Sequence, residues 1–149
     1  MEIFENIRPS GGGVIAVFDQ NYNLLRFETF DNIIVEDGKT WMRNRASNVV
    51  SEPDLTYVGW GNDDTTPDET NTTLNNEVYE NQIVNIDNLG DFKFLVQGQL
   101  GLSEANGYTI SEVGIKDGDH DLFNHSIDFT PEAKTDRKIM YLEGEIEVI

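Results

Sequence analysis

Apolar residues in this chain come in short segments broken by clusters of Asp, Asn, Gly, Thr and Pro, and most segments alternate with the period of two expected of a half-buried strand. Residues 14–18 are apolar and β-branched. A polar stretch at 19–23 leads into 24–30, where charged and apolar positions mix, and the pair predicts a hairpin. Residues 32–35 predict a further short strand, followed by a polar break at Glu36-Asp37-Gly38. Only 39–46 carries a helical signal. There Trp41, Met42, Arg45 and Ala46 recur at offsets of one, three and four, so a short helix should lay an apolar edge on the sheet and turn Lys39 and Arg43 to solvent.

Residues 56–61 are strand-like, whereas 62–74 hold Asp, Thr, Asn and Pro with no aromatic or branched aliphatic residue before Leu74, which predicts a long surface loop. Alternation returns at 78–79, 83–86, 92–100, 108–115, 122–129 and 139–149. In the last run Leu142, Gly144, Ile146 and Val148 fall on one face and Glu143, Glu145 and Glu147 on the other. This predicts a half-buried strand whose charged outer face discourages edge-to-edge pairing. Short strands at regular spacing, without alternating long helices, predict a mainly β protein: an antiparallel β-sandwich or barrel-like domain with one short α-helix near 39–46. No repeat or compositional shift marks a boundary, so residues 1–149 read as one domain, with 1–13 a flexible N-terminal arm ending in Ser10-Gly11-Gly12-Gly13.

The 149 residues leave no room for a two-domain enzyme with an active site between domains. Ten basic against 28 acidic residues give a net charge of −18, which repels phosphate backbones and anionic lipid, so neither nucleic acid nor membrane is an expected partner. The chain lacks cysteine, which removes disulfides and thiolate chemistry. It shows no run long enough to span a bilayer, and Met-Glu-Ile-Phe-Glu lacks the basic start and apolar stretch of a signal peptide.

Chemistry-bearing patterns are few. His120 and His125 lie five apart beside Asp117, Asp119 and Asp121, the carboxylates a calcium ion would use, but Asp-Gly-Asp-His-Asp has the composition of a tight turn. The calcium-loop pattern also fails, with Leu122 where Gly belongs and Asp128 at the bidentate position. There is no Gly-x-Ser-x-Gly elbow, and with 28 carboxylates any acidic pair arises by chance. Asn71 and Asn124 open glycosylation sequons, and Tyr57, Trp60 and Tyr79 are aromatics of the kind that stack on sugars or fill cores. No enzymatic constellation, cofactor or metal site is expected.

One resemblance stands above this background. The segment Tyr57-Val-Gly-Trp-Gly-Asn-Asp-Asp-Thr-Thr-Pro67, continued by Thr73-Leu-Asn-Asn-Glu-Val-Tyr79, resembles the tail-collar fibre and related small tail proteins of tailed viruses, as does Gly107-Tyr-Thr-Ile-Ser-Glu-Val-Gly-Ile115. The two ordered blocks, with the strand and helix before them, cover most of the chain from residue 32. Trp60 departs from the family's small residue, and a His-containing turn replaces its usual Asp-Gly turn.

The resemblance implies a virion structural protein of the tail, collar or baseplate, an assembly adaptor or fibre-attachment module with tail proteins as partners, forming a homo-oligomer (trimer or ring) located in the virion tail. Two alternatives stay open: a host-surface glycan-binding module and a calcium-dependent accessory domain. Gly59 and Gly61 would let the backbone bend on either side of Trp60, which would cover an edge or a neighbour. Glu112, ahead of Gly114, would bond backbone amides of the loop, for example those of 62–66, and Glu77 would do the same at the loop's end, just beyond Leu74. Lys39, Arg43 and Arg45 form a small basic cluster suited to docking an acidic neighbour.

Overall fold

The computed structural model describes residues 12–31, 33–48, 50–90 and 93–147. Within them the chain is mainly β, with several antiparallel sheets and one short helix, α1 (Glu36–Ser47). The largest sheet has the strand order β2 (Leu24–Phe30), β1 (Gly13–Asp19), β12 (Lys138–Glu147), β7 (Lys93–Leu100) and β6 (Asn85–Gly90). A second sheet has the order β5 (Glu77–Gln82), β4 (Leu55–Gly61) and β9 (Glu112–Asp117). Two short ladders complete the fold: β3 (Ile33–Ile34) with β10 (Asn124–His125), and β8 (Thr109–Ile110) with β11 (Glu132–Ala133). Among the described residues no sheet closes on itself; β2 and β6 are the edges of one, β5 and β9 of the other.

The core draws on both of the larger sheets, which among the described residues do not form a true sandwich. Ile15 and Val17 of β1, Val96 of β7 and Met140 and Leu142 of β12 share one apolar cluster with Val58 and Trp60 of β4 and Val113 and Ile115 of β9. Burying each such side chain contributes roughly 1.5–3 kcal/mol. The approach is close: a Cβ placed on Gly98 would lie 2.7 Å from Val58 Cγ2.

Several elements depart from the sequence pattern, each for a local reason. The helix begins at Glu36 rather than Lys39, because Glu36 and Asp37 suit the amide end of the helix dipole and Gly38 packs under the Phe123 carbonyl. It ends at Asn48, whose left-handed backbone (φ 54°) lets its N–H bond Asn44 O. Trp41 and Met42 pack on the core but Ala46 is exposed, so the apolar edge is narrower than its spacing predicts. The run 83–86 is not one strand; Ile83 N donates to Thr56 O (2.8 Å) and Val84 N to Gln97 O (2.8 Å), so the chain crosses there from one sheet to the other. The run 108–115 divides at Ser111, which donates to Gly61 O (2.9 Å), and its halves, β8 and β9, join different partners. Of residues 122–129, only β10 is regular strand.

The last strand is the largest correction. β12 is not an edge but lies between β1 and β7, and two of its three glutamates are covered: Glu143 is 0% and Glu145 6% exposed, while Glu147 at the strand's end is exposed. Glu143 accepts from Tyr141 Oη (2.7 Å), and Glu145 faces Lys93 Nζ at 3.6 Å. The N-terminal arm is corrected at its end as well. Gly13 pairs with Gly144 and Phe30, and Gly12 O accepts the Glu145 N–H (2.8 Å), so these two glycines belong to the sheet; residues 1–11 and Val148 lie outside the described residues.

Candidate functional site

The outward face of the β5-β4-β9 sheet is paved with glycine. Gly59 and Gly61 of β4 lie opposite Gly114 and Glu112 of β9, and the loop from 62 to 76 folds back over them. A Cβ on Gly114 would sit 2.6 Å from Leu122 Cδ1, 2.7 Å from Asn124 O and 2.9 Å from Leu74 Cδ2; one on Gly59 would sit 3.0 Å from Leu74 Cδ1. On Gly61 it would meet Asn76 O at 2.8 Å and Glu112 Cδ at 2.6 Å. The glycines therefore provide clearance rather than a sharp bend, and neither Gly59 nor Gly61 has a positive φ. Leu74 fills that clearance in a small cluster with Val35 and Leu122. Trp60 points the other way, fully buried in the core, and its Nε1 donates to Asn81 Oδ1 (2.9 Å).

Glu112 is the polar hub of this face. Its side chain is 0% exposed, and its oxygens accept backbone N–H groups from both ends of the loop: Asp63 (2.9 Å), Asn75 (2.7 Å) and Asn76 (3.1 Å). A carboxylate with that many donors satisfies loop amides that would otherwise be buried without partners. His125 Nε2 lies 3.1 Å from Glu112 Oε1, and its Nδ1 lies 3.2 Å from Asn71 Oδ1. Asn71 Oδ1 also accepts the Asp68 N–H (2.8 Å), which holds the carboxamide in place beside the ring. His125 thus joins the hub to the middle of the loop. The hairpin across the turn after β9, which aligns Val113 with Ser126, places it there.

Glu77 bonds a lysine rather than loop amides. Lys116 Nζ donates to both Glu77 oxygens (2.9 and 3.2 Å) and to Glu80, while His120 Nδ1 lies 2.7 Å from Glu80 and its ring stacks on Tyr57 with centroids 4.4 Å apart. Burial acts to raise the Glu80 carboxyl, but the hydrogen bonds from Lys116 and His120 outweigh it and hold Glu80 below its ordinary range. Burial likewise acts to lower the Lys116 amine, and its carboxylate partners hold it above. A depressed carboxyl contributes stability that is present above its unfolded value and lost as pH falls through its folded one. A raised amine contributes stability that is lost as pH rises through its folded value. The network should therefore act fully between about pH 4.5 and 10.5, the ordinary values of the two groups. In melts from neutral to acid pH, Glu80→Gln should lose less stability below that window than the parent chain; equal acid slopes would exclude Glu80 as a contributor.

The remaining sequence-selected residues are dispersed. Lys39 pairs with Glu69 (2.9 Å) and Arg45 with Asp54 (2.9 Å), Arg45 also lying 5.1 Å from the Trp41 ring centroid, while Arg43 is exposed. Asp117 is buried, and its Oδ1 accepts the N–H groups of Asp119 (2.9 Å) and Asp121 (3.0 Å), so it shapes the turn; burial pushes its carboxyl above the usual range. Asp37, Glu52, Asp117 and Asp121 border a cavity of about 140 Å³ beside the helix. Among the described residues no group of three or more His, Asp or Glu is arranged to hold a metal ion. Asn124 is buried, with Oδ1 accepting the Ile115 N–H (2.8 Å). The sequence pointed to Glu112, Leu74 and the glycines, but it marked His125 only as part of a candidate cation set and Asn71 only as a sequon; their link to Glu112, and that of Lys116 to Glu77, arises from the register of β9 with β4 and its hairpin partner.

Comparison with family models, with curated proteins and with solved structures found no match to this chain.

Proposed function

We propose that this chain is a structural protein of the tail, collar or baseplate of a tailed virus, an adaptor or fibre-attachment module that acts by assembly and without turnover. The observation that carries this reading is the meeting of the two sequence blocks on which the resemblance rests. Gly59, Gly61 and Leu74 from the first interlock with Glu112 and Gly114 from the second, around a loop closed by one buried carboxylate. Such a unit holds a loop in one shape, which suits a docking element. The Glu112 and His125 side chains are 0% exposed, which favours scaffolding over reaction with a substrate. Edge strand β2 exposes Leu24 and Leu25, which favours self-association into a trimer or ring.

Antibody labelling of purified particles tests the reading directly. Label is expected at the tail, and label confined to the head shell, or its absence from particles that contain the chain, would overturn it. The basic residues of α1 provide a second arm, because Lys39→Ser, Arg43→Ser and Arg45→Ser together remove exposed ion pairs that contribute little to folding, at most about 1 kcal/mol each. The triple variant should fold normally and enter particles less well. Normal incorporation at both low and high ionic strength would remove these residues from the docking surface.

A further inference from the structure

Lys134 is 1% exposed, yet its ammonium group bonds neutral oxygens: Asn106 Oδ1 at 2.8 Å and Thr135 O at 2.8 Å. Lys116, by contrast, meets two carboxylates directly. Burial pushes the Lys134 amine below the ordinary lysine range, and the charges of Glu104 and Asp136 only partly oppose this. A buried amine freed of its proton is a nucleophile. The group it faces is a carboxamide held from two sides, since Asn106 Nδ2 donates to Leu102 O (2.8 Å) while Oδ1 receives Lys134.

The backbone around Asn106 is specialised for this placement. Ala105 (φ 54°) and Gly107 (φ 90°) both adopt left-handed conformations, which a residue with a side chain, such as Ala105, rarely takes. Two ladder bonds, Gly107 N to Lys134 O (3.0 Å) and Lys134 N to Tyr108 O (2.9 Å), fix the segments side by side. In an Asn-Gly pair the side-chain carboxamide is open to slow attack by the next backbone nitrogen. Here that nitrogen, Gly107 N, is engaged with Lys134 O, and the amine of Lys134 is the nucleophile presented to the carboxamide.

We propose that Lys134 and Asn106 join in an intramolecular isopeptide bond. The ammonium of Lys134 gives one proton to solvent, and the neutral amine attacks Asn106 Cγ, forming the Nζ–Cγ bond. A second proton passes from the attacking nitrogen to Nδ2. The Cγ–Nδ2 bond then breaks and ammonia leaves, taking up the first proton from solvent as ammonium. Nothing is oxidised or reduced and no co-reactant is needed. The event occurs once per chain, so it is self-modification rather than turnover. Its product is a covalent tie between the 101–108 turn and the β11 segment, independent of whether the protein belongs to a virus particle.

Mass spectrometry of the full chain, intact and after proteolysis, tests this without assays of function. The expected result is a chain lighter by one ammonia, and a branched peptide containing both Asn106 and Lys134. Lys134→Met and Asn106→Ala should each restore the full mass. A wild-type chain that keeps its full mass after long incubation at mildly alkaline pH would overturn the proposal. So would an ammonia loss that persists in Lys134→Met, which would mark a succinimide at Asn106-Gly107 instead.

Discussion

Glu112→Ala should destabilise the protein by roughly 3–5 kcal/mol, the usual cost of removing one member of a buried charged and hydrogen-bonded group, and lower its melting temperature on the order of 10 °C. The truncation strands three backbone N–H groups, those of Asp63, Asn75 and Asn76, and leaves His125 Nε2 without its acceptor in a site closed to water. Glu112→Gln should fall between parent and Ala, because one amide oxygen can still accept while the new NH₂ group faces donors. Beyond the melt, limited proteolysis should cut the Glu112→Ala chain within residues 62–76 before any other site. Equal protease resistance in parent and variant would mean that the loop is held by Leu74 and its neighbours alone.

Gly114→Ala should cost about 3 kcal/mol, the upper part of the range for overpacking a close contact, since the added methyl meets the Asn124 carbonyl, a backbone atom that cannot swing aside. The informative control is Gly144→Ala. At Gly144, also buried in a strand, an added Cβ has nothing within 4 Å among the described residues, and the residue borders a small apolar cavity of about 10 Å³ with Phe30, Val113 and Leu142. That substitution should stabilise by about 0.5–1 kcal/mol, because the unfolded chain loses freedom and no contact is strained. Chemical denaturation of the pair checks both signs. If the two variants shift the midpoint equally, strand propensity rather than clearance governs these positions, and the account of the glycine-paved face fails.

Much of the strand content was legible in the sequence, because a two-residue period and turn-forming clusters act locally. The hairpin of β1 and β2 lies where its apolar runs predict, and its turn is closed by Asp19, whose Oδ1 accepts from Asn21 (2.8 Å) and Asn23 (2.9 Å). The helix was visible in Trp41 and Met42, whereas its first turn was hidden because Glu36-Asp37-Gly38 has turn composition and becomes helical only with Gly38 against Phe123. Periodicity also cannot reveal where a chain changes sheets. Residues 83–86 and 108–115 keep alternating while the hydrogen-bond partner changes, at Ile83 and at Ser111.

The sequence by itself determined that this is a mainly β protein with one short helix, a long polar loop after Gly61 and an acidic residue placed to bond that loop. Tertiary structure alone decided the rest. Strand order is a non-local choice, and by setting β12 between β1 and β7 it covered Glu143 and Glu145, which the pattern assigned to solvent. The same holds for the partners of Glu112 and for the meeting of Lys134 with Asn106. A side chain's type fixes what it can donate or accept, but which group it meets depends on the register of strands far apart in the chain.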